Sequence, residues 1–470
     1  MTDGCDGGPS TTAGPARRVR PSSRPGADGG APAEPGAPDG AARRRFRLRL
    51  GLIALGALAF RVAYVLVLKR DEIPVGDQIY YSAQAVTIAH GGGFGSPFPP
   101  GGPAADHAPF TAAALALVSW WQGGASVLPQ RLAMAVAGAL VVVGIGALGR
   151  RLLGDRAGLV AAAIAAAYGA FWLNDVVIMS ETFTAGVVVA LLLATYAHLE
   201  RPRAPTAVAL GLLTGFAGLV RAELLVAGAA LAIGAALAEV RSARRGAGAT
   251  GAAPTAPARA LGRLALAGAC AVAVVAPWVG FNLARFESPT LISTQDGQTI
   301  AGANCDATYS GPGLGFWNLA CADAVAMPEG LDQSERSVLQ RRAGLEHVRT
   351  HLGDVPRVVA ARLGLGLSVH GVERMVEWNV GEGRGRWGSR IALVQWWILA
   401  PLALVGLRRW PSGAPRWPLV TLGVLTAVTL AVVYGIPRFR VPFEVVVAVA
   451  AAVPLSRLRR PRWVRGGRPA

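Results

Sequence analysis

"RRRFRLRLGLIALGALAFRVAYVLVLKRDEIPVGDQIYY", residues 43–81, decides the fold class. A cluster of arginines is followed by an apolar run of about the 20 residues that a helix needs to cross a bilayer. A charged group, "KRDE", and a polar stretch come next. Arginines on the N-terminal flank are the mark of a span whose N-terminal side stays in the cytoplasm. A cleaved signal peptide would start near residue 1 and carry a shorter apolar core, so the run reads as a signal anchor that remains in the membrane. Arg61, inside the run, is expected to face the bundle interior and to pair with an acid.

The same alternation of apolar blocks and Arg clusters repeats along the 470 residues, of which 52% are hydrophobic and 16% charged. Mean hydropathy is +0.41. These values exclude an ordinary soluble domain and predict an all-α, polytopic transmembrane bundle of about ten helices. The blocks cover 48–68, 128–149, 157–173, 177–198, 204–220, 222–240, 261–281, 389–407, 417–434 and 440–455. With the N-terminus in the cytoplasm, the short inside loops are "GRRLLGDR", "LERPR" and "LRRWPSGAPRW", and most of the Lys and Arg falls on the inside set. The net charge of +18 is thereby assigned to topology rather than to a nucleic-acid partner.

The predicted organisation follows. Residues 1–44, rich in Gly, Pro and Ala, read as a disordered cytoplasmic tail. Residues 45–281 form a transmembrane core with a first outside loop at 69–127, and 282–388 is a larger extracytoplasmic loop region. Residues 389–457 are C-terminal transmembrane helices, and 458–470 is a basic cytoplasmic tail. In the first loop, "YYSAQAVTIAHG" reads as a short helix. "HAPFTAAALALVSWWQGG" reads as a juxtamembrane or re-entrant helix, with Trp120 and Trp121 at the aromatic belt. The second loop is expected to mix strand-like and helical pieces. No internal repeat or inverted pair of halves is visible.

This topology turns nearly every acid able to do chemistry toward the outside. Asp77, just past the first span, is a candidate base, weighed against a plain helix N-cap. His107, beside Asp106 at the opening of a helix, suits a phosphate through backbone N–H groups and a raised imidazole pKa. Asp175 and Glu181 stand at helix ends near the bilayer surface, where a carboxylate is costly unless paired or wet. Arg221 with Glu223, and Arg438 and Arg440 with Glu444, occupy outside turns, where an arginine can clamp a phosphate or snorkel to headgroups. Cys305 and Cys321 share an oxidising compartment and are expected to form a disulfide. No His/Cys cluster accompanies them, so no metal site is predicted there.

In the order of Arg61, "GDQIYYSAQAVTIAHGGGF", "DHAPFTAAALAL", "RLAMAVAGALVVVGIGALGRRLLGDRAGLVAA", "SETFTAGVVVALLL", "GLLTGFAGLVRAELLV" and "GIPRFRVPFE", the chain resembles the GT-C membrane glycosyltransferases. It looks most like the bacterial branch related to dolichyl-phosphate-mannose protein mannosyltransferases and to aminoarabinose lipid A transferases. The "ANCDATYSG…LGFW" loop is similar to that of actinobacterial members, and the resemblance covers about residues 45–455.

The resemblance implies an inverting enzyme of the plasma membrane, its active site extracytoplasmic and both termini cytoplasmic. It would move a hexosyl or pentosyl group from a polyprenyl-phosphate sugar to a hydroxyl on a lipid, polysaccharide or protein acceptor. By the same resemblance Asp77 is the catalytic acid of the first outside loop, and His107, Arg221 and Arg438 contact the donor phosphate. Asp175 or Glu181 is the second acid; the spacing leaves both open. At the family's "(K/H)PPL" segment this chain reads "HAPF", with Ala108 for the first proline and Phe110 for the leucine. Paired acids could hold Mg²⁺ or Mn²⁺, but no cofactor is required by the resemblance. The alternatives are a secondary transporter or lipid-linked saccharide flippase, which would favour midplane charges and paired halves, and a non-catalytic assembly partner.

Overall fold

The computed structural model describes residues 40–457, apart from 100, 125, 251–255 and 412 and the side chains of 245–250 and 256. The chain divides between Arg44 and Arg45. Of the first unit only residues 40–44 are described, and they are helical. Ala and Arg are strong helix formers, so the first helix starts inside the stretch expected to be a disordered tail. The rest of that tail and the basic end at 458–470 lie outside the described residues.

The second unit begins within α1 (Gly40–Tyr64), which runs on as a π turn to Lys69. The first loop supplies α2 (Asp77–Ala89) and α3 (Phe110–Gln122). The core follows as α4 (Val127–Leu153), α5 (Asp155–Ala167), α6 (Gly169–Trp172), α7 (Glu181–Glu200), α8 (Ala204–Val220), α9 (Ala222–Thr250) and α10 (Ala256–Leu283). The second loop region holds α11 (Gln295–Ala303), α12 (Asp306–Tyr309), α13 (Leu319–Asp323), α14 (Gln333–Thr350), α15 (Val355–Gly366) and α16 (Val372–Gly381). The chain closes with α17 (Arg386–Arg408), α18 (Trp417–Val432) and α19 (Val441–Arg457).

The fold is an all-α polytopic membrane bundle. Among the described residues, seven helices are long and apolar enough to cross a membrane, and Ala204–Val220 and Trp417–Val432 are shorter apolar helices. The block expected as one span over 157–173 is broken. Helix α5 stops at Ala167, Tyr168 is extended at φ −76° and ψ 123°, and α6 restarts at Gly169. Two contacts hold the break: the Tyr168 hydroxyl donates to Glu444 at 2.7 Å, and a Cβ on Gly169 would lie 2.5 Å from the Cβ of Ala392.

The strand-like pieces expected in 282–388 are not there. Among the described residues no strand forms, and one antiparallel bridge, Gly95–Pro103, stands alone. An unpaired strand leaves its backbone groups unsatisfied, whereas a helix satisfies them internally. Helix α11 packs closely on α14 instead: a Cβ on Gly297 would sit 2.2 Å from the Ser337 carbonyl oxygen.

Helix α19 is the axis of the bundle. In its most apolar window 72% of residues are buried, against 17% for α17 at the periphery. Between lipid-embedded helices no hydrophobic driving force operates, so close approach of small residues carries the packing. On α8, Gly211 and Gly215 lie against α10, where added Cβ atoms would fall 2.2 and 2.5 Å from the carbonyl oxygens of Ala267 and Ala271.

Arg61 and Asp175 form a sealed ion pair in this core. Arg61 Nε donates to Asp175 Oδ2 at 2.7 Å, and the Thr182 hydroxyl donates to Oδ1 at 2.7 Å. Arg61 also reaches the carbonyls of Ala57 and Ala166. Gly138 makes the space, since a Cβ there would lie 2.1 Å from the Asp175 carboxyl carbon. The partner of Arg61 is thus Asp175, and this acid is buried in the bundle rather than set at its surface. Breaking a buried pair by removing one partner costs roughly 3–5 kcal/mol. Asp175→Ala should therefore lower the thermal unfolding midpoint of the detergent-solubilised protein sharply, and an unchanged midpoint would show that the pair does not hold the core.

Candidate active site

At the end of the bundle that carries α2 and α3, several chain segments bring charged side chains together. Gly76, at φ +58°, turns the chain in a conformation that side chains disfavour and leaves Asp77 as the first residue of α2. Arg221 is the extended residue (φ −153°, ψ 131°) between α8 and α9. Arg438 lies in the 3₁₀ turn Pro437–Arg440 that leads into α19. Glu181 opens α7, and Glu382 follows α16.

Arg438 sits among three carboxylates. Its Nη2 is 2.9 Å from Asp77 Oδ2, its Nη1 2.7 Å from Glu382 Oε1, and its Nε 3.7 Å from Glu181 Oε1. Arg221 donates from Nε to Glu223 Oε1 at 2.6 Å, and from Nη1 to Glu181 Oε1 at 3.2 Å and Ser180 Oγ at 3.3 Å. The Phe439 ring lies 5.2 Å from the Arg221 guanidinium and 5.6 Å from that of Arg438. The imidazole of His107 stacks on Tyr81 at 4.7 Å, with Nε2 3.9 Å from Asp77 Oδ1.

Burial works to raise the Asp77 carboxyl. The charges of Arg438, His107 and Arg221 and the hydrogen bond from Arg438 outweigh it and hold the group at about 2. The Arg221 guanidinium is disfavoured by burial, yet Glu223 and Glu181 more than compensate and raise it above its ordinary value. His107 goes the other way. Burial lowers its imidazole, Arg438 and Arg221 add to this, and the opposing pull of Asp77 and Asp106 does not restore it. The raised imidazole expected from the sequence is therefore corrected: burial lowers it.

These groups line a cavity of about 440 Å³. Asp77, His107, Glu181, Arg221 and Arg438 form one side, and Ser293, Gln295, Asp296 and Thr299 form another. A third side is apolar. Val226 of α9 and Val428 and Val432 of α18 are 59%, 51% and 66% exposed and open the cavity toward the lipid-facing surface. Two buried polar atoms here, Glu181 Oε2 and Arg438 Nε, have no hydrogen-bond partner. Glu181 Oε2 can therefore accept, and Arg438 Nε donate, one further hydrogen bond.

Of the residues singled out from the sequence, Asp77, His107, Glu181, Arg221 and Arg438 meet in this cavity, and Asp175 does not line it. Arg440 and Glu444 turn into the bundle, paired at 2.9 Å, with Arg440 3.8 Å over the Trp396 ring. Cys305 and Cys321 are disulfide-bonded. Sequence reading missed Glu382, which holds Arg438, and the polar wall of Gln295, Asp296 and Thr299. The run "GEGRGRWG" at 381–388, charges alternating with glycines just before a span, was the available signal for Glu382.

The bundle therefore combines a charged cavity with exposed apolar side chains at its rim. Residues 106–252 match the family model described as dolichyl-phosphate-mannose-protein mannosyltransferase. The apo oligosaccharyltransferase of Archaeoglobus fulgidus is similar in fold, at a TM-score of 0.50 and 16% identity, over 87% of this chain and 50% of that one. The AglB oligosaccharyltransferase of the same organism, in complex with an inhibitory peptide and a dolichol-phosphate, gives 0.49 and 14% over 89% of this chain and 51% of that one. ArnT from Cupriavidus metallidurans bound to undecaprenyl phosphate gives 0.40 and 13%, over 89% of this chain and 78% of that one. The chain spans about half the length of the archaeal proteins, and no curated protein sequence matches it. The chain is thus similar in fold to the apo archaeal oligosaccharyltransferase, and its residues 106–252 carry the match to the mannosyltransferase family model.

A carboxyl held at about 2, below the ordinary 3.8, contributes stability that is present above pH 3.8 and lost only as pH falls through about 2. The difference in thermal midpoint between wild type and Asp77→Asn should accordingly stay constant from about pH 5 to 8. A difference that fades within that window would mean that Arg438 does not hold Asp77 as described.

Proposed function

We propose that the protein transfers a sugar from a polyprenyl-phosphate donor to an acceptor hydroxyl at the extracytoplasmic face of the plasma membrane, with inversion at the anomeric carbon. The observation that carries this reading is that Glu181 Oε2 and Arg438 Nε, without hydrogen bonds of their own, stand among the charged groups of a cavity that opens on apolar helix faces. A ligand that satisfies both sides has a charged, hydroxylated head and a hydrocarbon tail. The orientation follows from the arginines of the short loops at the opposite end of the bundle, with N- and C-termini in the cytoplasm.

The donor's tail lies along the exposed valines of α9 and α18, and its phosphate takes hydrogen bonds from Arg438 and Arg221, with His107 beside it. Glu181 Oε2 accepts from a sugar hydroxyl, and Gln295 and Thr299 offer further partners on the far wall. An Asp77 carboxyl near 2 is a weak base. A phosphate that draws Arg438 away removes the charge that depresses it, so Asp77 gains basicity when donor is in place. Asp77 then accepts the proton of the acceptor hydroxyl. That oxygen bonds to the anomeric carbon, the bond from this carbon to the phosphate oxygen breaks, and polyprenyl phosphate leaves with the electron pair. The developing charge falls on fixed cations, which need no reorganisation. Without donor, Asp77 and Glu181 are paired with Arg438 and Arg221, and the scheme uses these two arginines for the phosphate charge.

Loss of a positioned general base typically costs about 10²–10⁴-fold. With purified protein and a panel of polyprenyl-phosphate sugars, Asp77→Asn should lower turnover by that order while the protein stays folded. Glu181→Gln should raise KM for the donor more than it lowers kcat. Wild-type turnover in Asp77→Asn would remove the assignment.

A further inference from the structure

Outside the cavity, the fold assembles a group of side chains that the sequence keeps apart. Asp306 opens α12, next to the disulfide-bonded Cys305. His347 and His351 sit one turn apart at the C-terminal end of α14, their rings stacked at 4.1 Å and 16°. Each of the three residues offers one ligand atom, and these atoms all lie within 4.8 Å of one another. We infer that Asp306, His347 and His351 bind a divalent cation of the zinc class, which ties the disulfide-bonded segment 305–321 to α14.

The chemistry of the donors selects the ion. Two imidazoles and a carboxylate suit Zn²⁺ and its neighbours, whereas Mg²⁺ and Ca²⁺ prefer all-oxygen shells. His347 Nδ1 is 3.9 Å from Asp306 Oδ1. That is too long for a hydrogen bond, and closing it by roughly half an ångström would bring the two atoms to the ~3.4 Å that separates ligands on a tetrahedral ion. The buried Nε2 of His347 has no hydrogen-bond partner either, so no contact fixes which nitrogen of this ring carries the proton, and either can offer its lone pair. His351 Nδ1 lies 3.0 Å from the His347 carbonyl oxygen and 3.0 Å from the Thr350 hydroxyl. Donation from Nδ1 to a carbonyl leaves Nε2 as the basic nitrogen, the usual arrangement behind a metal-bound histidine. Tyr309 of α12 packs edge-on against both rings, at 4.6 and 6.1 Å, and limits their rotation. Three protein ligands leave a fourth position for water.

The position gives the ion a purpose. Helix α14 also carries Ser337, whose hydroxyl donates to Asp296 at 2.9 Å, and Arg341, which pairs with the same carboxylate. Asp296 lines the cavity. A cation at the end of α14 therefore braces the helix that holds one cavity wall.

The test is calorimetric titration of the full chain in detergent micelles with Zn²⁺, using protein without a polyhistidine tag and without reductant. One saturable site per chain is expected, together with a rise in thermal midpoint. His351→Ala and Asp306→Asn should each weaken binding by roughly tenfold or more and abolish the rise, while His107→Ala should leave both intact. With Co²⁺ as probe, the wild type should show the visible absorption of a four-coordinate ion. Absence of saturable binding, or binding retained in His351→Ala, would overturn the proposal, as would binding lost in His107→Ala.

Discussion

An arginine buried among apolar helices must be neutralised, and Arg438 is the group on which this architecture turns. Asp77, Glu181 and Glu382 gather around it from the start of α2, the start of α7 and the end of the second loop region. Removing a guanidinium from water costs several kcal/mol unless carboxylates and hydrogen bonds replace the solvent. That requirement draws three remote segments to one point and thereby builds the cavity. Gln78, one residue after Asp77, adds a second tie through a hydrogen bond to the Glu382 carbonyl at 2.9 Å.

The buried charges divide by how completely they are satisfied. Asp175 has Arg61 and Thr182 on its two oxygens, and Glu444 has Arg440 and Tyr168. Both oxygens of each carboxylate are engaged, although Glu444 and Arg440 also line a second, smaller cavity beside Arg438. Glu181 differs: one oxygen meets Arg221 while the other is buried and unpaired beside an open volume. Charge alone does not separate a structural acid from a functional one in a membrane bundle. Residual hydrogen-bonding capacity beside a cavity is the ground on which Glu181 is proposed to meet the donor.

Local signals carried most of the secondary structure. Apolar length located the spans, including the division of 204–240 at Arg221, because an apolar run and its charged flank are read without reference to any other part of the chain. Where a distant contact competes with the local pattern, the reading failed. Tyr168 breaks a block that looked continuous because Glu444 lies 276 residues away. The β-branched stretches of 282–388 lacked partner strands and became helix or turn.

By itself the sequence determined that this is an Arg-flanked, multi-span helical membrane protein, and it marked Asp77, His107, Glu181, Arg221 and Arg438 as charged or polar groups in costly places. Composition and span length act over a turn or two of helix, so one chain suffices to read them. Only the tertiary structure decided that Glu181 rather than Asp175 faces the cavity, that Glu382 completes the cage of Arg438, and that burial lowers the His107 imidazole. Each of those depends on which side chain shares a low-dielectric space with which other, and that is set by helix packing between residues tens to hundreds of positions apart.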